Sequence, residues 1–460
     1  MSNETCKGIL IAGIKSGSGK TMFTCSLLEA LKERQKNPCA FKCGPDYIDP
    51  MFHQKVIGIP SCNLDSFFSD EEQLRDLYQK QSEGHPISVI EGVMGLYDGL
   101  GGTQKQGSAY DLASILKIPV ILVIDVHGMG RSILPLIAGF LQYDKEKRIK
   151  GVILNKISKG FYETISPLIE EELKTEVLGY LPKMKELSFE SRHLGLQLPG
   201  EIKGLKEELS RAAGILEETV SVDRLLEIAD SDIIKKNMLK KKKKDRVRIA
   251  VARDEAFCFY YEENLNRLRE EGAELVEFSP LYDKELPKDI DALLLGGGYP
   301  ELFAELLEKN DSMRRSIKEA ITNKMPSVAE CGGFMYLHST LTDKEGNCHS
   351  MCGLIPGNCH FTGRLVRFGY VEVEEISGSS WLCGKKIKAH EFHYFDSEAN
   401  GEDCRAVKPT TQKSWSCIHA SEDHFWGFPH LYYASNLDFV TSFINKALEY
   451  RKNREGFYGK

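Results

Sequence analysis

The stretch GILIAGIKSGSGKT, residues 8–21, reads as a buried strand, a glycine-rich turn and the first residues of a helix. Its glycines let backbone N–H groups turn inward around an anion, and the helix N-terminus adds the positive end of its dipole. Gly17 and Gly19 take the positions of close approach. Lys20 is placed to reach the β- and γ-phosphates of ATP, and Thr21 offers its hydroxyl to Mg²⁺.

Outward from this loop, GILIAGI, CAFKCG, PISVIEG, IPVILVIDV and KGVILNKI are short apolar runs. Stretches with helical spacing, such as FTCSLLEALKERQ, separate them. Continuous apolar strands alternating with helices predict a parallel sheet covered on both faces. The helical stretch VDRLLEIADSDI is followed by KKNMLKKKKKDR, and the alternation restarts with VRIAVARD, AELVEFSP, DALLLGGG and MPSVAEC. The fold expected is therefore α/β, with two domains in series, each a largely parallel sheet flanked by helices. Their boundaries are residues 1–235, a basic linker 236–246, and residues 247–460. A chain of 460 residues asks for such a division, because domains run to roughly 100–200 residues.

Bulk properties narrow the partners. A net charge of −7 without a broad basic bias argues against nucleic acid, and the run Lys240–Lys244 reads as a solvated linker. No secretory signal heads the chain, and no run approaches the ~18 apolar residues of a membrane span. Thirteen cysteines, an odd number without framework spacing, suit a reducing cytoplasm. Neither Cys348, Cys352 and Cys359 nor Cys39 and Cys43 have the paired spacing of a metal site.

Carboxylates recur where strands end. Glu91 follows ISVI, Asp46 and Asp49 lie in KCGPDYIDPMFH, Asp98 sits among glycines and Asp125 ends VILVID. Any one of these fits a loop carboxylate or a helix cap. Several of them around one phosphate loop suit Mg²⁺ and a second substrate facing the γ-phosphate. Asn155, ending GVILN, is the expected adenine contact, since its amide both donates and accepts. The strict GxxxxGK[ST] spacing fails at Ile14, and KSGSGKT fits the K-x-G-x-G-K-[ST] variant of deviant phosphate-loop ATPases. Lys15 in that variant either touches phosphate, in some cases across a dimer, or points to solvent.

The second half carries SVAECGGFMYL, residues 327–337, again a strand, a tight turn and a helix start. That is the outline of a nucleophile elbow, in which the helix N-terminus favours the thiolate of Cys331. A buried structural thiol is the alternative. Gly332 and Gly333 let the backbone pass closely, and LLLGGGYPEL, with Gly297 and Gly298, supplies N–H groups suited to an oxyanion hole. Of the histidines in this half, His430 in GFPHLYYAS is the preferred base, because it follows a turn-like Gly-Phe-Pro.

Both halves together resemble the cobyrinate a,c-diamide synthases, glutamine-dependent ligases of corrin-ring biosynthesis. The likeness spans nearly the whole chain. It is carried by GIKSGSGKT, KCGPDYIDPMFH, EGVMGLYDG, RHLGL, GGGYPE, AECGGFMYL, LVRFGY and AHEFHYFDS, in this order. The resemblance implies an ATPase domain like dethiobiotin synthetase followed by a triad-type glutamine amidotransferase. It implies ATP and Mg²⁺ as cofactors, and cobyrinic acid and L-glutamine as substrates. A ring carboxylate is activated as an acyl phosphate, and ammonia from glutamine attacks it. Cys331 becomes the nucleophile, His430 its base, and Gly297, Gly298 and Gly332 the oxyanion donors. Asp46, Tyr47, Asp49 and Asp98 fall near the substrate, and Thr21, Glu91 and Asp46 near the metal.

Two departures stand out. Relatives end in His-Leu-His, whereas Tyr432 takes the second position here and no acidic partner for His430 is apparent. Lys15 is not usual at its place. His390, Glu391 and His393 match the HEFHY segment and read as structural or domain-closing. A monomer and a homodimer both fit. Three other readings stay open: the same chemistry on nickel-sirohydrochlorin or hydrogenobyrinic acid, a dimeric switch ATPase in which Cys331 is structural, and a regulatory glutamine-binding protein.

Overall fold

In the computed structural model the described residues are 6–183, 199–233, 247–376, 378 and 381–458. The motif RHLGL and the linker 236–246 lie outside them. The chain divides into two units, residues 1–238 and 239–460. Among the described residues no helix is long and apolar enough to cross a membrane.

The first unit is built on seven parallel strands. These are β1 (Gly8–Gly13), β2 (Cys39–Cys43), β3 (Ser61–Leu64), β4 (Ser88–Glu91), β5 (Val120–Asp125), β6 (Ile149–Asn155) and β7 (Val177–Leu181), in the order β3-β2-β4-β1-β5-β6-β7. Side chains alternate across the sheet, so Leu10, Ile90 and Leu122 join one core while Ile9, Ile11, Val89 and Val123 join another. Both cores exclude water, which is why these strands read as unbroken apolar runs; each buried aliphatic side chain contributes roughly 1.5–3 kcal/mol. β4 lies between β2 and β1, with Glu91 in register beside both Lys42 and Ile11. The carboxyl ends of these strands therefore bring one lysine and one glutamate to the mouth of the phosphate loop.

The second unit keeps the expected parallel core: β8 (Val247–Ala252), β9 (Ala273–Phe278), β10 (Ala292–Leu295) and β11 (Ser327–Glu330). The chain then adds β12 (His338–Thr342), β13 (Cys348–Ser350), β14 (Ile355–Phe361), β15 (Arg367–Glu375) and β16 (Ile387–His393). After them come β17 (Phe395–Ser397), β18 (Cys404–Val407), β19 (Ser414–Cys417), β20 (His419–Ala420), β21 (His424–Gly427) and β22 (His430–Leu431). The central sheet runs β20-β21-β11-β10-β8-β9, parallel except at the β20 edge. Two further sheets, β13-β12-β14-β17 and β19-β18-β15-β16-β22, are largely antiparallel and were not expected from the apolar pattern. In β16 the buried Ala389, Glu391 and His393 alternate with less buried neighbours, and Phe392 is exposed. A strand wetted on one face carries no continuous apolar run to be read.

Candidate active sites

In the first unit, β1 delivers the chain into a loop whose Gly17 and Gly19 adopt φ of 75° and 93°, a left-handed conformation that costs other residues strain. The helix Lys20–Glu33 begins at once. Lys20 Nζ donates to the carbonyls of Met94 at 2.6 Å and Lys15 at 3.2 Å, so the lysine already spans the loop. Burial, with the Lys42 charge nearby, lowers its pKa to about 8. Thr21 Oγ1 donates to Glu91 Oε1 at 2.5 Å.

Behind this contact lies a charged cluster. Lys42 Nζ bonds Glu91 Oε1 at 2.8 Å and Asp49 Oδ2 at 2.5 Å, with Glu91 fully buried and Lys42 and Asp49 nearly so. His53 Nε2 stands 3.7 Å from Glu91 Oε2, and its Nδ1 meets Ser61 Oγ at 3.0 Å. Burial by itself would raise the Glu91 carboxyl, but the Lys42 ammonium and His53 hold it well below the usual range. Burial and the Glu91 charge push Asp49 up to about 7, against the pull of Lys42. Lys42 and His53 were not among the residues expected here. The available signal was a lysine inside the apolar strand CAFKC and a histidine closing KCGPDYIDPMFH.

Other expected residues are placed less directly. Asp46 Oδ1 accepts from the Ile48 N–H at 2.8 Å, so it caps its own turn, and no hydrogen bond joins it to Thr21 or Glu91 among the described residues. Nor, among those residues, is any group of three His, Cys, Asp or Glu gathered to hold a metal ion. Tyr47 is buried at the start of the helix Ile48–Phe52. Asp98 Oδ2 accepts from the Gly95 N–H at 2.9 Å. Lys15 is exposed, and the bonds it makes here run through its backbone. Asn155, expected at an adenine, lies against the loop: its Nδ2 donates to Ser18 O at 2.9 Å and its Oδ1 accepts from the Lys156 N–H at 2.9 Å. The nitrogen end of the amide thus holds the phosphate loop, and the oxygen end meets its own chain neighbour.

In the second unit β11 ends at Glu330, and Cys331 turns the chain into the helix Gly332–Leu337 with φ 46° and ψ −103°. Positive φ on a residue with a side chain is strained, and it is the backbone of a nucleophile elbow. The Cys331 N–H donates to Gly427 O at 2.8 Å, and the Gly333 N–H to Gly296 O at 2.9 Å. These two bonds fix the elbow between β21 and the glycine run after β10. Any side chain at Gly297 would meet His430, because its Cβ would lie 2.4 Å from Cε1. A Cβ on Gly332 would lie 3.0 Å from the Gly298 nitrogen. Cys331, Gly332, Gly297, Gly298 and His430 are thus drawn into one place from three separate segments.

The pair at its centre is neutral. Burial, with Glu301 nearby, raises the Cys331 thiol well above its ordinary value. Burial, with His390 and His393 as neighbours, lowers His430 to about 3. A neutral imidazole can accept a thiol proton, so the arrangement suits proton transfer at the moment of attack rather than a standing ion pair. Glu330 Oε1 accepts from the Tyr433 hydroxyl at 3.0 Å, and burial raises that carboxyl to about 8. It ties the residue before Cys331 to the segment carrying His430.

Comparison with known proteins covers both units. Residues 9–196 match the family described as CobQ/CobB/MinD/ParA nucleotide binding domain. Residues 248–426 match the CobB/CobQ-like glutamine amidotransferase domain, a span that stops short of His430. Three similar proteins are each named cobyrinate a,c-diamide synthase. That of Caldanaerobacter subterraneus subsp. tengcongensis is 41% identical, over 96% of this chain and 98% of its own. That of Listeria innocua is 40% identical over 93% and 96%, and that of Priestia megaterium 36% over 99% and 99%.

Proposed function

The chain belongs to the cobyrinate a,c-diamide synthase family, glutamine-hydrolysing amidotransferase ligases, and from that membership we propose that it amidates the a and c carboxylates of cobyrinic acid in cobalamin biosynthesis. The strained Cys331 turn, with His430 lying against Gly297, is the observation that supports the reading most directly.

In the second unit, His430 takes the Cys331 proton as sulfur attacks the side-chain amide carbon of glutamine. Backbone N–H groups among Gly297, Gly298 and Gly332 receive the developing oxyanion. Collapse expels ammonia with the proton returned by His430, and water then releases glutamate from the thioester. In the first unit, a carboxylate oxygen of the substrate attacks the γ-phosphorus of ATP, and ADP leaves. Ammonia attacks the resulting acyl carbon and phosphate departs, giving the amide. Gly17, Gly19, Lys20 and Lys15 cradle the phosphates, Asn155 holds the loop beside the adenine, and Asp46, Tyr47, Asp49 and Asp98 orient the macrocycle.

Mg²⁺ fits the loop mouth, where Thr21 and Glu91 bring oxygen donors together, and a cation of this kind takes one or two carboxylates besides phosphate oxygens. Thr21, Glu91 and Asp46 would hold it, and bound there it would offset phosphate charge.

The test replaces Cys331→Ser and supplies either glutamine or ammonium. Glutamine-dependent diamide formation should fall at least about 1,000-fold while the ammonia-dependent rate stays within a few-fold. Equal survival of both routes would remove Cys331 from the mechanism. Absence of a diamide from cobyrinic acid, with turnover of another tetrapyrrole, would overturn the substrate.

A further inference from the structure

On the inward face of β16, two buried acceptors lie side by side. Glu391 is 1% exposed and His393 6%. Among the described residues neither Glu391 Oε2 nor His393 Nε2 has a hydrogen-bond partner. His393 Nδ1 meets the Phe395 carbonyl at 2.6 Å. A carbonyl only accepts, so Nδ1 carries a proton, which in the neutral ring leaves Nε2 as a lone pair. The ring is held flat on Phe428, with centroids 4.0 Å apart and planes at 4°. Its Nε2 stands 3.8 Å from Glu391 Oε1. Two acceptors left together in a dry place are costly unless a donor arrives.

Both line a cavity of about 30 Å³, shared with Arg367, Asp396 and Phe428. That volume admits a single small polar group, of the order of one water or one ammonium. The cavity adjoins the glutaminase centre through the chain itself. Phe428 sits between Gly427, whose carbonyl accepts the Cys331 N–H, and His430. The Glu391 charge also acts on the Cys331 thiol.

We propose that Glu391 and His393 receive the α-ammonium group of glutamine while Cys331 attacks its side-chain amide. An ammonium brings three N–H donors and a positive charge to two acceptors, one of them a carboxylate. Arg367, with its guanidinium 4.7 Å from the Trp415 ring centre, stands at the wall of the same cavity. The proposal rests on Cys331 being the glutaminase nucleophile, and it makes Glu391 a specificity residue rather than a domain-closing one.

The measurement compares kcat/KM for glutamine with that for glutaramate, the same amide without its α-amino group. A site built to bind that group should prefer glutamine by at least about 100-fold. Glu391→Gln should reduce the preference about tenfold or more, and Glu391→Asp, which keeps the charge, should retain more of it. If turnover is too slow to follow, the same ratio is read as Kd for the two amides in the Cys331→Ser background. A ratio unchanged within about twofold in Glu391→Gln overturns the proposal and leaves the two residues around a structural water. Failure of the nucleophile assignment looks different, because glutamine hydrolysis would then survive Cys331→Ser whatever stands at position 391.

Discussion

Lys42 holds two carboxylates inside the first unit, Asp49 at 2.5 Å and Glu91 at 2.8 Å, with all three side chains removed from water. Such a cluster is costly to assemble and more costly to break, because a lost partner leaves uncompensated charge in a medium of low dielectric. Lys42→Met keeps most of the side-chain volume and removes the ammonium. It should destabilise the first unit by about 3–5 kcal/mol, measured by denaturant unfolding. A loss below about 1 kcal/mol would mean that water or a proton already compensates these carboxylates. The same substitution frees Glu91 Oε1, the acceptor that Lys42 shares with Thr21, from the lysine. In its sequence context Lys42 looked like one polar residue in CAFKC, and only its pairing with Glu91 across β2 and β4 explains its burial.

Among the elements, β10, β11 and β22 decide whether the proposed glutaminase site can form. The loop after β10 supplies Gly297, β11 supplies the turn at Cys331, and β22 carries His430 beside β16. Gly297→Ala should displace the base, since the new methyl would sit 2.4 Å from His430 Cε1. Misplacement on this scale costs about 100-fold in rate, so glutamine hydrolysis should fall by that factor while the melting temperature changes little. Less than a fivefold loss would show that the ring yields to the methyl without consequence. The turn itself was legible from AECGG, because a strand, two glycines and a helix start are local features. The position of β22 was not, since His430 is brought home by antiparallel pairing of its strand with His390.

For the molecule as a whole, acid should act first on the second unit. His430 and His338 are buried there as neutral rings, with pKa lowered by burial to about 3 and about 4. In the unfolded chain both titrate near 6.5. The folded values lie below the unfolded ones, so this contribution is fully present above pH 6.5 and is lost as pH falls toward the folded values. Each ring contributes about 1.4 kcal/mol per pH unit across that window. All three tryptophans, Trp381, Trp415 and Trp426, belong to this unit, so its unfolding can be followed by their fluorescence. The denaturant midpoint should drop steadily between pH 6.5 and 4.5. A midpoint constant over that range would mean that the rings are hydrated or already charged in the native state.

Sequence alone determined the features that lie within one short segment: the phosphate loop with Gly17, Gly19, Lys20 and Thr21, the parallel strands buried on both faces, and the turn at Cys331. Each depends on backbone conformation or on a continuous apolar run, which neighbouring residues specify. Tertiary structure decided the partnerships, because they join residues far apart in the chain and depend on burial. Lys42 meets Glu91 only because β2 and β4 are neighbours in register, and Gly297 meets His430 only because β10 and β22 converge. Asn155 reaches the phosphate loop at Ser18 for the same reason. Glu391 and His393 became a candidate ammonium site only when β16 turned them inward and left their acceptors without donors.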